Sequence, residues 1–210
     1  MSSAAGLKTP PTFRLRRLRR SELPIKTLPL ARYLIGKTLV HDHPQGRMSG
    51  RIVETEAYLP GDAAAHSFRG KTERNQSLFL EHGHAYVYFI YGVWHAINVA
   101  GEPHGIGAGV LIRALEPLEG IPLMKRRRHQ AETHALARGP GCLATALDIN
   151  RRFDGLDLCK PGPIWLGTAV KPVGRIGRSV RIGITKEAHR LQRFYERGNP
   201  CVSGPKNLVK

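Results

Sequence analysis

The segment "RIVETEAYL", residues 51–59, alternates in the way that a β-strand requires. Its alternate residues Glu54, Glu56 and Tyr58 share one face. The other face consists of side chains that suit packing: Val53, Thr55, Ala57 and Leu59. Two carboxylates are costly to bury unless cations accompany them. The polar face of this strand therefore predicts either an internal ion pair or a site of chemistry.

Around this strand the chain shows hairpin patterns. A short helix in "PLARYLIG" (residues 29–36) precedes "KTLVHDH", and the turn-forming "PQGRMSG" leads into the strand that opens at Arg51, which predicts a hairpin over residues 37–59. The run "HAYVYFIYGVWHAINVA" (residues 84–100) reads as two strands hinged at Tyr91-Gly92. Gly92 suits the positive φ of a tight turn and puts Tyr91 at or beside its tip.

The remaining segments continue the mixed pattern. A short helical stretch is predicted near "ERNQSLFL" (residues 73–80), a strand and a helix start in "GVLIRALEPLEG" (109–120), and a helix in "GPGCLATAL" (139–147). Residues 179–200 read as strand, loop and strand. The alternation of a parallel Rossmann sheet is missing. We expect an α+β fold: one domain around a mostly antiparallel curved β-sheet, with flanking helices and a protruding β-hairpin.

Length and composition indicate one folded domain. The chain has 210 residues and 41% hydrophobic content, enough for one substantial core. Residues 1–24 combine Ser, Pro and an Arg-rich run, which predicts a flexible basic arm before a domain over residues 25–210. An Arg-rich organelle-targeting leader would have a similar composition.

The chain is strongly basic. It has 33 Lys and Arg against 16 Asp and Glu, a net charge of +17 at pH 7. Such a field suits a polyanion, with nucleic acid as the first candidate and an anionic membrane surface as the second. A basic surface that is merely solvated is the third interpretation.

Membrane insertion, disulfides and metals are not indicated. No apolar stretch is long enough to span a bilayer, and the N-terminus lacks a signal-peptide segment. The three cysteines are widely spaced without a CxxC, which is typical of reduced thiols in a cytosol. The His-x-His pairs at residues 41–43 and 82–84 have no third ligand, so no metal site is predicted.

Arg113 lies in "GVLIRALE", where nearly every neighbour is apolar. We expect its guanidinium to be buried and paired, because a buried Arg without a carboxylate is very costly. Glu54 and Glu56 need a cation for the same reason. Two interpretations remain open at this stage: an internal ion pair and nothing more, or a carboxylate held beside Arg113 to orient and deprotonate a water.

Four tyrosines, Tyr58, Tyr86, Tyr88 and Tyr91, are predicted near the same place. Aromatic residues on strands are often core, but in a basic chain they also suit a slot in which a nucleic-acid base stacks, an interaction worth about 1–3 kcal/mol per base. A rigid Tyr at a hairpin tip can instead wedge between base pairs and hold open the gap left by a displaced nucleotide.

Taken together, five segments resemble one family. They are "GRIVETEAYLPGDAAAHS" (50–67), "YVYFIYGVWHAINV" (86–99), "VLIRALEPLEG" (110–120), "GPGCLATALDIN" (139–150) and "LQRFYERGNPCVS" (191–203). In order and spacing they resemble the alkyladenine (3-methyladenine) DNA glycosylases of the mammalian type, over roughly residues 25–205. The resemblance implies a monofunctional base-excision enzyme. Such an enzyme flips a damaged purine nucleotide out of duplex DNA and hydrolyses its N-glycosidic bond without a cofactor.

The resemblance also implies roles for individual residues. Glu56 matches the general base and Arg113 the residue that helps hold the attacking water. The base pocket would be formed by Tyr58 and His66 on one wall and Tyr88 on the other, with Asn98 disfavouring guanine through a clash with its 2-amino group. Tyr91 matches the residue that intercalates into DNA. The implied partner is double-stranded DNA with damaged purines, bound by a monomer in the cytoplasm or, in a eukaryote, the nucleus.

Three positions depart from the family pattern. Val93 stands where a Met beside the wedge is frequent, Cys142 where a Lys is common, and Cys201 where an aromatic is usual. The first departure weakens the wedge, the second removes a phosphate-binding charge and the third alters packing. None of them changes Glu56, Arg113 or Tyr88.

Two rival functions follow from the same residues. A non-catalytic protein that binds lesions or structured nucleic acid would use the same slot and hairpin, but a carboxylate facing a polyanion weakens binding unless chemistry uses it. A bifunctional glycosylase with lyase activity would need an amine at C1′ of the sugar.

Overall fold

The structure is a computed structural model that describes residues 14–90 and 92–205. Within these ranges three α-helices form: α1 (Thr27–Leu34), α2 (Ile121–Arg127) and α3 (Pro140–Ala146). The strands of the same ranges are β1 (Thr38–His43), β2 (Gly46–Tyr58), β3 (Ala85–Ile90), β4 (Trp94–Ala100), β5 (Gly109–Glu119), β6 (Ile164–Gly167), β7 (Ile176–Ser179) and β8 (Arg193–Glu196).

These strands form one sheet that curls into a half-barrel. Its main path runs β3-β4-β5-β2-β1-β6, and β8 pairs with both β2 and β7. Every ladder between these strands is antiparallel. The prediction of an α+β domain around a mostly antiparallel sheet is therefore confirmed.

Both predicted hairpins form as antiparallel pairs. β1 and β2 pair from Thr38 with Arg51 to His43 with Gly46, so the turn is shorter than predicted and β2 begins at Gly46. β3 and β4 also pair in continuous register, and Gly92 has the positive φ of 68° expected of it. Tyr91 lies outside the described residues. The protrusion of this hairpin and the place of Tyr91 at its tip therefore stay predictions.

The ladder between β2 and β5 contains three register shifts, one after Ser49 and two on either side of Glu54. Val53 is the extra residue on β2, and Arg113 is the extra residue on β5. The flanking pairs, Ile52 with Leu115 and Thr55 with Ile112, share one register. The pair between them, Glu54 with Ala114, is displaced by one residue. Such bulges bend a strand and redirect side chains, often beside active sites. Here they surround Glu54.

The core lies mainly between the sheet and the helices. Thr55 faces α1, where its hydroxyl donates to the Ala31 carbonyl at 2.8 Å, and Ala57 is buried in the main cluster. Val53 does not join them, although strict alternation predicts that it should. As the extra residue of a bulge it packs in a separate small cluster with Ala114, Tyr195, Cys201 and Val202.

Two segments differ from the sequence-based expectation. Residues 14–24 belong to the predicted flexible arm, yet Leu18 and Leu23 are buried, and Leu18 N donates to the Leu166 carbonyl. Residues 1–13 lie outside the described residues. Residues 179–200 are predicted as strand, loop and strand, but of the first of these strands only Ser179 belongs to one, the end of β7. The residues after it turn toward β2.

No helix among the described residues is long and apolar enough to cross a membrane. The three cysteines, Cys142, Cys159 and Cys201, are free thiols.

Candidate active site

Glu56 is fully buried, and three donors hold its carboxylate. The Ile182 backbone N–H donates to Oε1 at 2.7 Å, and the Tyr58 hydroxyl donates to Oε2 at 3.0 Å. Arg113 Nη1 lies 3.2 Å from Oε2. A carboxylate has about four acceptor positions, so these contacts leave one free on Oε1.

The surroundings shift the pKa values of this group and its neighbours. Burial raises the pKa of Glu56, and the charge of Arg113, the Ile182 N–H and the Tyr58 hydroxyl oppose that rise only in part. Burial alone would lower the pKa of Arg113, but the carboxylates of Glu56 and Glu54 outweigh it and leave the value raised. Burial and then the negative charge of Glu56 raise the pKa of Tyr58. A carboxylate with a raised pKa accepts a proton more readily than one in water.

Glu54 is equally buried but has different partners. Its Oε1 accepts from Arg113 Nε at 3.0 Å and from Arg193 Nε at 2.6 Å, and its Oε2 accepts from the Ser203 N–H at 2.7 Å. Arg113 thus bridges the two glutamates. The predicted pairing of Arg113 with Glu54 and Glu56 is present, and Glu54 is the residue that fixes the guanidinium.

Sequence reasoning missed several partners of this cluster. Arg193 is fully buried and lies directly across from Glu56 in the β2-β8 ladder. Its strand reads Arg-Phe-Tyr-Glu, so Phe194 and Tyr195 are its only apolar neighbours there, a weaker signal than the apolar run around Arg113. The contribution of Ile182 comes from its backbone, so its side-chain type gives no signal.

A second buried ion pair secures the Ile182 segment. Arg181 and Asp62 are both fully buried at the side chain, with 2.5 Å between Nη1 and Oδ2. Arg181 Nη1 also donates to the Ala57 carbonyl at 3.0 Å, and its guanidinium lies 4.6 Å from the centre of the Tyr58 ring. This pair explains why the chain after β7 does not continue as a strand: its backbone and side chains are committed to the loop after β2 and to Glu56.

Next to Glu56 lies a cavity of about 350 Å³. Tyr58, Arg113 and Ile182, the three partners of Glu56, line it. Glu56 itself lies directly behind this wall. The predicted pocket residues His66, Tyr88 and Asn98 line the cavity as well. All the described residues that were predicted for catalysis and base binding are thus brought to one place.

Strand register builds the cavity floor. Across β3, β4, β5 and β2, consecutive cross-strand partners form one row: Tyr86, Asn98, Leu111 and Glu56. Asn98 is almost fully buried, and its amide donates to the Tyr86 carbonyl at 3.3 Å. The row therefore ends on one side at Glu56, behind the cavity wall, and on the other side at Tyr86, which lines the cavity.

The aromatic wall is tightly packed. The His66 and Tyr88 ring centroids are 4.5 Å apart at an interplanar angle of 73°, and Tyr86 stacks on Tyr88 at 5.2 Å. His66 Nδ1 lies 2.9 Å from the Tyr86 hydroxyl. Burial and the charge of Arg74 lower the pKa of His66. In this arrangement His66 meets Tyr88 edge-on, so a base can stack on both rings only after the His66 ring moves.

The three departures from the family pattern have clear positions. Val93 is 65% exposed at the start of the β4 side of the hairpin. Cys142 lies in α3, where its sulfur accepts from Arg128 Nη2 at 3.0 Å, so an arginine occupies the space beside it. Cys201 is buried in the small cluster with Val53, and burial raises its pKa to about 11.

This chain matches a known protein family over most of its length. The family model described as methylpurine-DNA glycosylase matches residues 22–200. The chain belongs to the methylpurine-DNA glycosylase family. It is accordingly a DNA glycosylase, an enzyme that hydrolyses N-glycosidic bonds.

Individual relatives cover nearly the whole chain. A protein of Mesorhizobium japonicum is 63% identical over 189 residues, which are 90% of this chain and 91% of the relative. One of Paraburkholderia phytofirmans is 48% identical over 192 residues, 91% of this chain and 90% of the relative. One of Methanocella arvoryzae is 46% identical over 184 residues, 84% of this chain and 90% of the relative. All three carry the name "Putative 3-methyladenine DNA glycosylase".

Proposed function

We propose that this glycosylase removes alkylated purines, 3-methyladenine among them, from duplex DNA by a monofunctional reaction in which Glu56 activates water. The observation that carries the proposal is the buried Glu56 carboxylate directly behind the wall of an aromatic cavity, with all three of its donors lining that cavity. The names of the relatives supply the substrate class.

The chemistry requires little from the protein beyond placement. An alkylated purine is cationic and leaves with the electron pair of the N-glycosidic bond. Water attacks C1′ of the sugar, and its proton passes to Glu56 at the free acceptor position on Oε1. The products are the free base and an abasic sugar. A fixed carboxylate also stabilises the positive charge that develops on the sugar in the transition state.

Arg113 positions the catalytic carboxylate and water. Its Nε is fixed by Glu54, which aims Nη1 at Glu56 Oε2, 3.2 Å away. A guanidinium held in this way favours the ionised form of Glu56 and partly opposes the rise in its pKa that burial causes. Arg113 is also part of the cavity wall, so it reaches a water bound there.

The cavity suits a purine. Tyr58 and Tyr88 line it, and His66 offers a further aromatic face once its ring leaves the edge-on contact with Tyr88. Stacking on such faces is worth about 1–3 kcal/mol per base. We propose that Asn98, held rigidly on the floor, excludes guanine because the 2-amino group would crowd it. Damaged bases stack or pair less well, which lowers the free energy of flipping and adds selectivity.

When a nucleotide flips out of the duplex, a protein side chain has to occupy the gap that it leaves in the base stack. We propose that Tyr91 is this side chain. Tyr91 lies outside the described residues, but Phe89, Val93 and Trp94 around it expose 48%, 65% and 45% of their surfaces. Exposed apolar side chains at a strand connection suit insertion between base steps. The net charge of +17 would provide affinity for the backbone, so binding should fall steeply with salt.

The cavity lining favours the monofunctional reaction over the lyase. An imine intermediate needs an amine at C1′, and no lysine is present among the described residues that line the cavity. Borohydride trapping on lesion DNA should therefore give no crosslink. A stable crosslink would contradict water as the nucleophile.

The central test is single-turnover base release from methylated DNA and from a duplex with one hypoxanthine, for wild type and Glu56→Gln. We expect the wild type to release base, and Glu56→Gln to lose release while it retains binding. Glu81→Gln, which neutralises an exposed carboxylate, should release base at the wild-type rate. Tight lesion binding by the wild type without base release from either substrate would instead support a non-catalytic lesion-binding protein.

A further inference from the structure

A second cavity of about 320 Å³ adjoins the first. His66, Arg74 and Tyr86 line both cavities and form the partition between them. The side of the second cavity away from the partition is formed by the loop between residues 66 and 75 and by Lys186.

The second cavity is cationic. Arg69, Arg74 and Lys186 line it, and all three are exposed. Their charged groups form no ion pair with another described residue. No acidic side chain occurs among the described residues of the lining. Elsewhere in the described chain many surface cations are already paired, for example Arg16 with Glu22 and Lys171 with Glu116.

The loop that carries two of these cations is held in shape by one buried amide. Asn75 is 3% exposed, and its Nδ2 donates to the carbonyls of His66 and Gly70 at 2.9 and 3.0 Å. Its Oδ1 accepts from the Thr72 N–H at 2.7 Å. The backbone between residues 66 and 75 is therefore fixed before any ligand binds, which reduces the entropy lost on binding.

Arg74 connects this cavity electrostatically with the base pocket. Its charge acts on both His66 and Tyr86, the side chains that stand between the two cavities. An anion bound to Arg74 would therefore lie beside whatever fills the first cavity. In DNA, the anion that always accompanies a base is a phosphodiester of the same strand.

We propose that the second cavity is a phosphate-binding subsite that holds one phosphodiester of the lesion-bearing DNA strand close to the flipped nucleotide. The inference rests on the proposed function, since it assumes a nucleotide in the first cavity. Binding of this phosphate would set the position of the DNA strand, and so which nucleotide lies opposite the base pocket.

The test is a double-mutant cycle that combines the replacement of single DNA phosphates with substitutions in the protein. The duplex carries a tetrahydrofuran abasic analogue, so that binding is measured without base release. Each of the three phosphates on either side of the analogue is replaced in turn by a neutral methylphosphonate. Binding is measured for wild type, for Arg69→Gln/Lys186→Gln, which leaves the first cavity unaltered, and for Arg74→Gln. Arg32→Gln in α1, an exposed arginine on the opposite side of the sheet from Glu56, is the matched control.

One methylphosphonate should weaken wild-type binding about tenfold, as expected for the loss of a hydrogen-bonded charge contact. The same replacement should have little effect on the double variant and on Arg74→Gln, and each lost contact should reduce the salt slope by about one. Arg32→Gln should keep the wild-type pattern. Equal sensitivity to every methylphosphonate in all four proteins would overturn the phosphate subsite.

Base release by the wild type is measured in parallel on methylated DNA. If the wild type releases base and the cycle shows no coupling, the phosphate subsite is refuted and the proposed function stands. If coupling is present but no base is released, the subsite holds a strand phosphate and the catalytic proposal fails.

Discussion

Two carboxylates on one face of β2 should respond in opposite ways to the same substitution. Glu54→Gln removes the charge that lies between Arg113 and Arg193. Glu56→Gln replaces a carboxyl group whose pKa is raised in the folded protein. Folding therefore disfavours the ionised form of Glu56. We expect the first variant to lose stability, and the second to lose activity without losing stability.

The magnitude follows from the contacts. Glu54 accepts two charge-assisted bonds and one backbone bond, at 3.0, 2.6 and 2.7 Å, in a fully buried position. Breaking a buried ion pair on one side costs about 3–5 kcal/mol because the partner charge stays buried. For Glu56 the expected effect of losing the charge on the free energy of unfolding is the opposite. A folded-state pKa above the ordinary value gives stability that is present below the unfolded pKa and is lost as the pH rises through the folded pKa. At neutral pH the neutral amide of the Glu56→Gln variant should therefore leave the free energy of unfolding unchanged within about 1 kcal/mol, or raise it.

Urea unfolding at pH 7, followed by tryptophan fluorescence and by circular dichroism, measures both effects. The Glu54 variant should unfold at a clearly lower urea concentration than the wild type, and the Glu56 variant at the same or a higher one. A Glu54 variant within about 1 kcal/mol of wild type would show that the buried cluster is not held by this charge. So would a Glu56 variant that is the less stable of the two.

Three further predictions concern pH, a second ion pair and packing. Because the pKa of Glu56 is raised above its ordinary value of 4.5, the single-turnover rate should fall on the acid side with a midpoint above pH 4.5, as measured by base release from methylated DNA between pH 4 and 8. Asp62→Asn should lower the free energy of unfolding by about 3–5 kcal/mol, since it leaves the buried Arg181 without its carboxylate, and urea unfolding measures this loss. Gly177→Ala should cost about 1–3 kcal/mol in the same assay, because a Cβ there would lie 2.5 Å from the Tyr195 ring.

The packing prediction has a matched control, and the other two predictions each have an outcome that would contradict them. Gly162→Ala adds a methyl group at an ordinary contact distance of 3.5 Å from Leu156, and should change stability by less than about 0.5 kcal/mol. A rate that stays constant down to pH 4.5 would contradict a raised pKa for Glu56. Wild-type stability of Asp62→Asn would mean that Arg181 finds another partner.

The sequence predicts the fold class and both hairpins because alternation and glycine turns are local signals. The same alternation fails at Val53, since a bulge depends on how two distant strands pair. Arg113 is found from its apolar neighbours, whereas Arg193, which follows Gln192 in a strand with only two apolar residues, gives a much weaker signal. The Ile182 N–H cannot be found, because any residue type offers it. The first strand predicted in residues 179–200 is wrong for a related reason: the residues after Ser179 have a β-forming composition, but tertiary contacts to Glu56 and Asp62 decide their path.

The bulge on β2 decides which way Glu56 and Tyr58 point. Ile52 and Thr55 both lie on the helix side although two residues separate them, because Val53 is an extra residue that interrupts the alternation. A β2 of the same sequence that ran as a regular strand past Val53 would turn Glu56 and Tyr58 toward the helices instead of the cavity. An engineer who grafts this site must therefore transfer the bulge together with the residues of β2 and β5 that form it.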